Sequence, residues 1–275
     1  GGQRQPAGGR APRGGARRSM SRHRARKRFG QHFLVDPGVV GAIVDAVAPR
    51  DGDRLVEIGP GQGALTGLLA RTGCEFHAIE LDRDLAARLR GEFDGADNVT
   101  IHEADALAFD FASLGSDLRV IGTLPYTIST PLLFHLLQFR DRRVDMHCML
   151  QKEVVDRKAA EPGTKAYGRL TIMLGVHFDV EALFDVGREA FDPPPEVMSS
   201  VVRLVPLPAG TFDVNDELQF AKLVAQAFSQ RRKTIRNSLR GMVDEETLQF
   251  VGIDPGLRPE AIPIADYVSL ANALE

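Results

Sequence analysis

The chain has 275 residues, 43% hydrophobic and 26% charged, enough apolar material for one large core and a smaller appendage. No apolar run reaches the roughly 18 residues that span a bilayer, and no apolar segment follows the basic start. A membrane helix and a secretory signal are therefore not expected, and the compartment reads as cytoplasm. Cys74 and Cys148 lie far apart in apolar runs, which suits small core residues better than a disulfide framework or a thiolate metal site.

The formal charge of −3 hides an asymmetry, because residues 1–28 hold ten Lys or Arg and no acid, leaving 24 basic against 37 acidic residues in the rest. A Gly- and Arg-rich arm with so few apolar side chains cannot build a core. Residues 1–27 are expected to be disordered in isolation and to order against a polyanion, with nucleic acid the natural partner. Met20 offers an alternative start, but Arg22 to Arg28 run straight into Phe29-Gly30-Gln31-His32-Phe33-Leu34.

Leu55-Val56-Glu57-Ile58 reads as a short strand, Gly59-Pro60-Gly61-Gln62-Gly63 as a turn, and Ala64 to Ala70 as the start of a helix. Glycines let backbone pass close to a ligand, and such a turn delivers helix N-terminal N–H groups to its polar end. The spacing Gly-x-Gly-x-Gly is tighter than that of a dinucleotide site. A second strand, Phe76 to Ile79, ends at Glu80, whose carboxylate is placed to hold both hydroxyls of a ribose. A third, Val99 to His102, leads into Ala104-Asp105-Ala106, where Asp105 can accept from an adenine amino group.

A fourth strand, Val120-Ile121-Gly122-Thr123, stops at the rigid corner Leu124-Pro125-Tyr126. Apolar residues entering Gly and then Pro fit a parallel strand ending at the edge where open α/β sheets place ligands. A flat base can stack on Tyr126 while the carbonyl of Leu124 or Pro125 accepts from its exocyclic amine. Each piece alone has an ordinary reading as a solvated strand end or a turn. Gly turn, acid, acid and Leu-Pro-Tyr after four successive strands is the order expected of an S-adenosylmethionine methyltransferase acting on the amino group of a base.

Arg140, Arg142 and Arg143 form a basic patch near that edge, and Lys152 and Glu153 open a helix after a strand over Asp145 to Leu150, where ion pairing is their default role. His102 and His177 sit in apolar runs as hydrogen-bonded core residues, and the seven histidines show no metal-ligand spacing. After residues 205–210 the pattern turns helical, with Leu218, Ala221, Leu223, Val224 and Phe228 as its expected core face. Arg231, Arg232, Lys233 and Arg236 follow as a phosphate-binding patch, the alternative being a solvated helix face.

From about Arg26 to the C-terminus the chain closely resembles the ribosomal RNA adenine dimethyltransferases. The resemblance is carried by Arg26-Lys27-Arg28-Phe29-Gly30-Gln31-His32-Phe33-Leu34, Val56-Glu57-Ile58-Gly59-Pro60-Gly61, Ile79-Glu80-Leu81-Asp82, Met149 to Val155, Lys165 to Leu170 and Phe228 to Thr234. It implies a Rossmann-like, seven-stranded class I methyltransferase domain of α/β type over residues 28–206, followed by a small all-helical RNA-binding domain over 207–275. It implies S-adenosylmethionine as cofactor, held by Gln31, His32, Leu34, Gly59, Gly61, Gly63, Glu80, Leu81, Asp105, Ala106 and Thr123. The catalytic corner would be Thr123, Leu124, Pro125 and Tyr126, with the flipped adenine on Tyr126 and Phe191, beside Asp192 to Pro195. RNA would be met by Arg26, Lys27, Arg28, Arg231, Arg232, Lys233 and Arg236. The bacterial members dimethylate N6 of two adjacent adenosines near the 3′ end of small-subunit (16S) rRNA, so the expected partner is a pre-30S particle, with no metal, no membrane and a monomeric enzyme.

The chain departs from this family where Asn-Leu-Pro-Tyr-Asn is usual, reading Thr123-Leu124-Pro125-Tyr126-Thr127. Threonine still offers an acceptor lone pair, but its hydroxyl lies nearer the backbone and its β-branch limits rotamers. Lys158 stands where an apolar residue is usual, and Pro195 to Ser199 replaces a basic-Val-Asp-Ser run. Two other functions remain open on these grounds: an assembly factor that binds pre-small subunits with little transferase activity, and a large-subunit rRNA adenine methyltransferase that confers macrolide resistance.

Overall fold

A computed structural model describes residues 32–274 apart from 125–127, 159 and 231. Among the described residues nine strands run in chain order: β1 Phe33–Leu34, β2 Arg54–Ile58, β3 Glu75–Glu80, β4 Val99–Glu103, β5 Leu118–Thr123, β6 Arg143–Gln151, β7 Phe178–Val186, β8 Phe191–Asp192 and β9 Ser199–Pro206. Seven of them form one sheet in the order β4-β3-β2-β5-β6-β9-β7, while β1 and β8 pair separately. The pairs from β4 to β6 are parallel, and β9 runs antiparallel to both β6 and β7. That is a seven-stranded, mostly parallel α/β sheet, as the resemblance implied.

Both faces of the sheet are covered, which is why its central strands read as apolar runs rather than as alternating ones. On one face Val56, Ile58, Val120 and Leu124 pack with Leu132, Leu133 and Leu136 of the helix Ser129–Leu137. On the other, Leu55, Phe76, Ala78 and Ile121 pack with Val40, Ile43 and Val47 of the helix Pro37–Val47. This second helix starts where Asp36 accepts from the N–H groups of Gly38 and Val39 and proline fills the first turn. The expected helix over Ala64 to Ala70 is shorter: Thr66–Leu69 is α-helical, and Ala70–Thr72 tightens into a 3-10 turn before Gly73 at φ +80°. Cys74 and Cys148 are buried and form no disulfide.

The chain runs outward from β2 through β3 to β4, then returns to place β5 on the other side of β2. The strand order thus reverses between β2 and β5, and a crevice opens beyond their carboxyl ends. At the opposite end of these strands, away from the crevice, Arg119 bridges Asp53 at 2.6 Å and Asp145 at 2.9 Å and donates to the carbonyl of Val47, tying β5, β6 and the first helix together.

Beyond β9 the helices Glu217–Ala227, Ile235–Ser238, Glu245–Phe250 and Ile264–Asn272 share a core of Phe220, Leu223, Val224, Ile235, Leu248 and Leu270. Residues upstream of 207 join it: Ile172, Met173 and Val176 of the helix Arg169–Gly175 and its C-cap pack there, while Leu174 of the same helix faces the sheet core. Tyr167 also joins, its hydroxyl donating to the carbonyl of Ile262 at 2.9 Å.

One expectation fails in this segment. Leu218 is 73% exposed, and the buried stripe is Phe220, Leu223, Val224 and Ala227, with Ala221 and Phe228 only half-buried. The helix is set by Asp216, which accepts from the N–H groups of Leu218 and Gln219, and this start puts 220, 223, 224 and 227 on one face with 218 on the other. His102 and His177 are half-buried rather than core, His102 against the Nδ1 of His77 at 3.1 Å and His177 against Glu217 at 3.2 Å.

Candidate active site

The crevice is lined from four strand ends in lateral order. Asp105 follows β4, Glu80 closes β3, Gly59 to Gly61 follow β2, and Thr123 and Leu124 end β5. At about 4.8 Å per strand interval the row spans roughly 14 Å, the reach of an extended nucleoside carrying an amino-acid tail. His32 just ahead of β1, Phe33 and Leu34 of β1 and Phe191 of β8 close one side, and Leu81, Ala106 and Ile128 are also on the wall.

The Gly turn is bent so that backbone faces the cavity. Gly59, Gly61 and Gly63 all have positive φ, at +68°, +57° and +84°. A Cβ at Gly61 would meet the Phe33 ring at 3.0 Å, and one at Gly63 would meet Leu89 at 2.9 Å. Gly61 is thus constrained from within the pocket, whereas Gly63 is not among the lining residues and is constrained by the Leu89 side chain.

Glu80 is buried and works as the organiser of this turn. Its Oε2 accepts from Gly61 N at 3.1 Å and its Oε1 from Asp82 N at 2.8 Å. Burial raises its pKa above the ordinary carboxylate value, and those two N–H groups counteract the rise. Asp82 in turn caps the helix Arg83–Glu92 by accepting from Asp84 N and Leu85 N. Asp105 accepts from Leu107 N at 2.9 Å, and the backbone beside it is held by Ala104 N donating to the carbonyl of Glu80 at 3.0 Å. His32 reaches the other wall through Nδ1 and the carbonyl of Pro193, 2.8 Å apart.

Thr123 pairs with Met149 across β5 and β6, and Leu124 N donates to the carbonyl of Met149 at 3.2 Å, so the strand is anchored up to the corner. Phe191 is 4% exposed, with a register partner in Leu34, and belongs to the wall of the cavity. Of the remaining expected site residues, Gln31, Pro125, Tyr126, Arg26, Lys27, Arg28 and Arg231 lie outside the described residues. Arg232, Lys233 and Arg236 are exposed on a turn and the short helix after it, not along one helix face, and Arg236 pairs with Glu245 at 3.2 Å.

Sequence reasoning overlooked Glu57. It lies inside β2, is 2% exposed, lines the cavity, and accepts from Thr66 Oγ1 at 2.5 Å through Oε2. Burial is the main cause that pushes its pKa up to about 7, with the neighbouring Glu80 adding to the rise and the Thr66 hydroxyl opposing it. A carboxylate within an otherwise apolar strand was the signal that could have found it.

Counted by charge, the described lining holds Glu57, Glu80, Asp82 and Asp105, one histidine, and neither lysine nor arginine. Such a wall suits a ligand with positive charge and hydroxyl or amine donors, and disfavours phosphate. S-adenosylmethionine, with its sulfonium, ammonium, ribose and adenine, fits that donor set. No cluster of three or more His, Cys, Asp or Glu suited to a metal occurs among the described residues. No helix among them is long and apolar enough to cross a membrane.

Comparison with known proteins gives a concordant answer. The family model for ribosomal RNA adenine dimethylase matches residues 22–275. A protein of Aromatoleum aromaticum named ribosomal RNA small subunit methyltransferase A is 55% identical over 253 residues, covering 92% of this chain and 95% of its own length. Its namesake in Thiobacillus denitrificans is 56% identical over 252 residues, covering 92% and 98%. Among solved structures, a dimethyladenosine transferase from Plasmodium falciparum superposes with a TM-score of 0.76 at 26% identity, over 87% of this chain and 96% of that one. The 23S rRNA methyltransferase ErmE shares the fold, with a TM-score of 0.68 at 24% identity over 88% and 99%.

Proposed function

Since the chain belongs to the ribosomal RNA adenine dimethylase family and is an S-adenosylmethionine-dependent methyltransferase, we propose that it dimethylates N6 of two adjacent adenosines near the 3′ end of small-subunit rRNA within a pre-30S particle. The observation that carries this reading is the acidic crevice running from Asp105 to Thr123 across four strand ends. The 55% identity to named small-subunit methyltransferases, against 24% to the large-subunit enzyme ErmE, favours the small-subunit target over the large. We read residues 28–206 as the transferase domain, 207–275 as the helical domain, and the enzyme as a cytoplasmic monomer that needs no metal.

Bound in the crevice, S-adenosylmethionine supplies an electrophilic methyl on a positively charged sulfur. Asp105 would accept from the adenine amine, Glu80 from the ribose hydroxyls, and the N–H groups of the Gly turn would line the amino-acid tail. Leu81, half exposed at 51%, offers an apolar face to the adenine ring. The target adenine would approach from the β5 end. Its N6 lone pair is delocalised into the ring and is a poor nucleophile. Hydrogen-bond acceptance by the Thr123 hydroxyl and the Leu124 carbonyl would pull the N–H bonds out of the ring plane, localise the lone pair and aim it in line with the methyl. As the new C–N bond forms the old C–S bond breaks, and the proton shed by nitrogen passes to water. A second passage through the same geometry gives the dimethylated base.

Incubation of undermethylated small subunits and of large subunits with methyl-labelled donor tests the reading. Label in the small subunit alone, as N6,N6-dimethyladenosine, is expected, with Thr123→Asn raising the rate. Label confined to the large subunit would overturn the target. Label only with Thr123→Asn would favour an assembly factor that binds pre-small subunits and has lost catalysis, the reading that Thr123 makes worth testing.

A further inference from the structure

The acidic crevice lies on the β4 side of the corner at Thr123 and Leu124, and the sheet continues on the other side through β6 and β9. At the end of that ladder Gln151 pairs with Ser199, and one step beyond it Lys152 N donates to the carbonyl of Met198 at 3.0 Å. Met198 therefore stands at the same end of the sheet as the corner, two strand intervals or roughly 10 Å to its side. The segment that leads to it, residues 193–198, follows directly on β8, whose Phe191 is on the cavity wall. Its backbone is fixed along its length: the Pro193 carbonyl lies 2.8 Å from His32 Nδ1, the Glu196 carbonyl accepts from Arg188 at 3.1 Å, and the Met198 carbonyl holds Lys152. Pro195 is buried, yet Val197 and Met198 are each 44% exposed.

Resting on the reading of this crevice as the site of adenosine N6 methylation, we propose that Val197 and Met198 form a platform for the nucleotide joined to the target adenosine, whose base stacks on the two side chains while the target is in the crevice. Position supplies the first reason. A base extruded to the corner draws its neighbour to the rim, and the donor's crevice fills the opposite side, leaving the β6 and β9 side for the rest of the strand. Charge supplies the second. Among the described residues 185–198 the exposed charged side chains are Asp185, Glu189, Asp192 and Glu196 against Arg188 alone, and Lys152 is already held by Asp156 at 3.3 Å and Asp185 at 3.2 Å. Such a rim repels phosphate and offers RNA an apolar face, so it suits a base and not the backbone. Fixation is the third. Exposed apolar side chains scattered singly need no explanation, but an adjacent pair on backbone held from both ends receives a flat ligand at little ordering cost. A methionine thioether packs well on an aromatic ring, and unstacked RNA bases are recognised through their faces. The pair lies in the run that departs from the usual basic-Val-Asp-Ser, so Met198 belongs to this chain and not to the usual family pattern.

The test uses undermethylated small subunits assembled with rRNA in which one or the other of the two adjacent adenosines is an abasic nucleotide, and reads kcat/KM for methyl transfer to the adenosine that remains. The platform lies on one side of the corner, so it meets the neighbour on one side of the target, and only one of the two particles lacks the base that stacks there. Val197→Ser combined with Met198→Ser should lose rate on the particle that keeps this base and not on the other. The ratio of the two rates is therefore expected to differ between wild type and the double variant by at least about fivefold, the low end for loss of one stacked base. Affinity for S-adenosylhomocysteine should be unchanged, since neither residue lines the crevice. Met198→Gln, of similar length with a polar end, serves if the double variant folds poorly. An equal ratio in wild type and variant overturns the proposal, whether the variant is fully active or slower on both particles alike, as it is if a ribosomal protein covers the pair. Absence of dimethyladenosine from intact small subunits treated with the wild-type protein would instead remove the reading on which the proposal rests.

Discussion

At the scale of single residues the crevice is a balance between backbone that must come close and carboxylates that must stay dry. Gly61 shows the first. With φ at +57° and the Phe33 ring 3.0 Å from where a Cβ would stand, Gly61→Ala is strained twice over, and affinity for S-adenosylhomocysteine is expected to fall at least about tenfold by calorimetry. Glu57 shows the second. Its folded pKa of about 7 lies above the ordinary glutamate value of 4.5, so the folded state holds a proton that the unfolded chain has lost between those pH values. Its contribution to stability is therefore present below about pH 4.5 and declines as pH rises through 7. Urea unfolding of ligand-free protein at about pH 5.5 and about pH 8 should show Glu57→Gln gaining on wild type at the higher pH, by a difference on the order of 2 kcal/mol. An unchanged difference would mean that Glu57 ionises freely in the folded state.

At the scale of elements, turn and strand chemistry was legible and helix phase was not. Gly59 to Gly63, Glu80, Asp105 and the Thr123-Leu124 stop were readable because each sits at a strand end where a Gly, an acid or a Pro interrupts an apolar run. The helix over Glu217–Ala227 was readable as a helix, yet its buried face was misassigned at Leu218 because the phase is set by the cap at Asp216, and apolar residues flank the core stripe on both sides. Two consequences can be measured by denaturation. Phe220→Ala should cost about 3–5 kcal/mol, whereas Leu218→Ala should lie within about 0.5 kcal/mol of wild type. Asp216→Ala, which removes the acceptor for two N–H groups, should cost about 1 kcal/mol. Glu57 and the Arg119 bridge to Asp53 and Asp145 escaped for a different reason. Their partners are 9, 66 and 26 residues away and meet only once the sheet is assembled.

At the scale of the molecule, charge is segregated by purpose. The crevice wall is acidic, while Arg232 and Lys233 are exposed on the turn ahead of the helix Ile235–Ser238. Cations so placed against phosphates fix affinity without reading bases. The double variant Arg232→Ala with Lys233→Ala should weaken rRNA binding at low salt and flatten the dependence of log K on log salt by about 0.7 to 0.9 for each cation withdrawn from a phosphate, with donor affinity untouched. Arg236 should matter less, since Glu245 already holds it at 3.2 Å. The place of the crevice at the carboxyl ends of the strands was expected from the Gly turn, two acids and Pro corner, and the seven-stranded sheet from the resemblance, whereas the order β4-β3-β2-β5 was not read from the sequence, because motifs in chain order do not fix which strands lie side by side. The sharing of the helical core with Tyr167, Ile172 and Met173 was not visible, since those residues are far in sequence from the helices they support.

The most direct test is whether the crevice holds the methyl donor through Glu80. Titration of folded wild-type protein with S-adenosylhomocysteine should give saturable one-to-one binding, and Glu80→Ala, which removes the anchor of Gly61 and Asp82, should weaken it at least about tenfold while the fold survives by circular dichroism. No binding to folded wild type, or equal affinity in the variant, would contradict it.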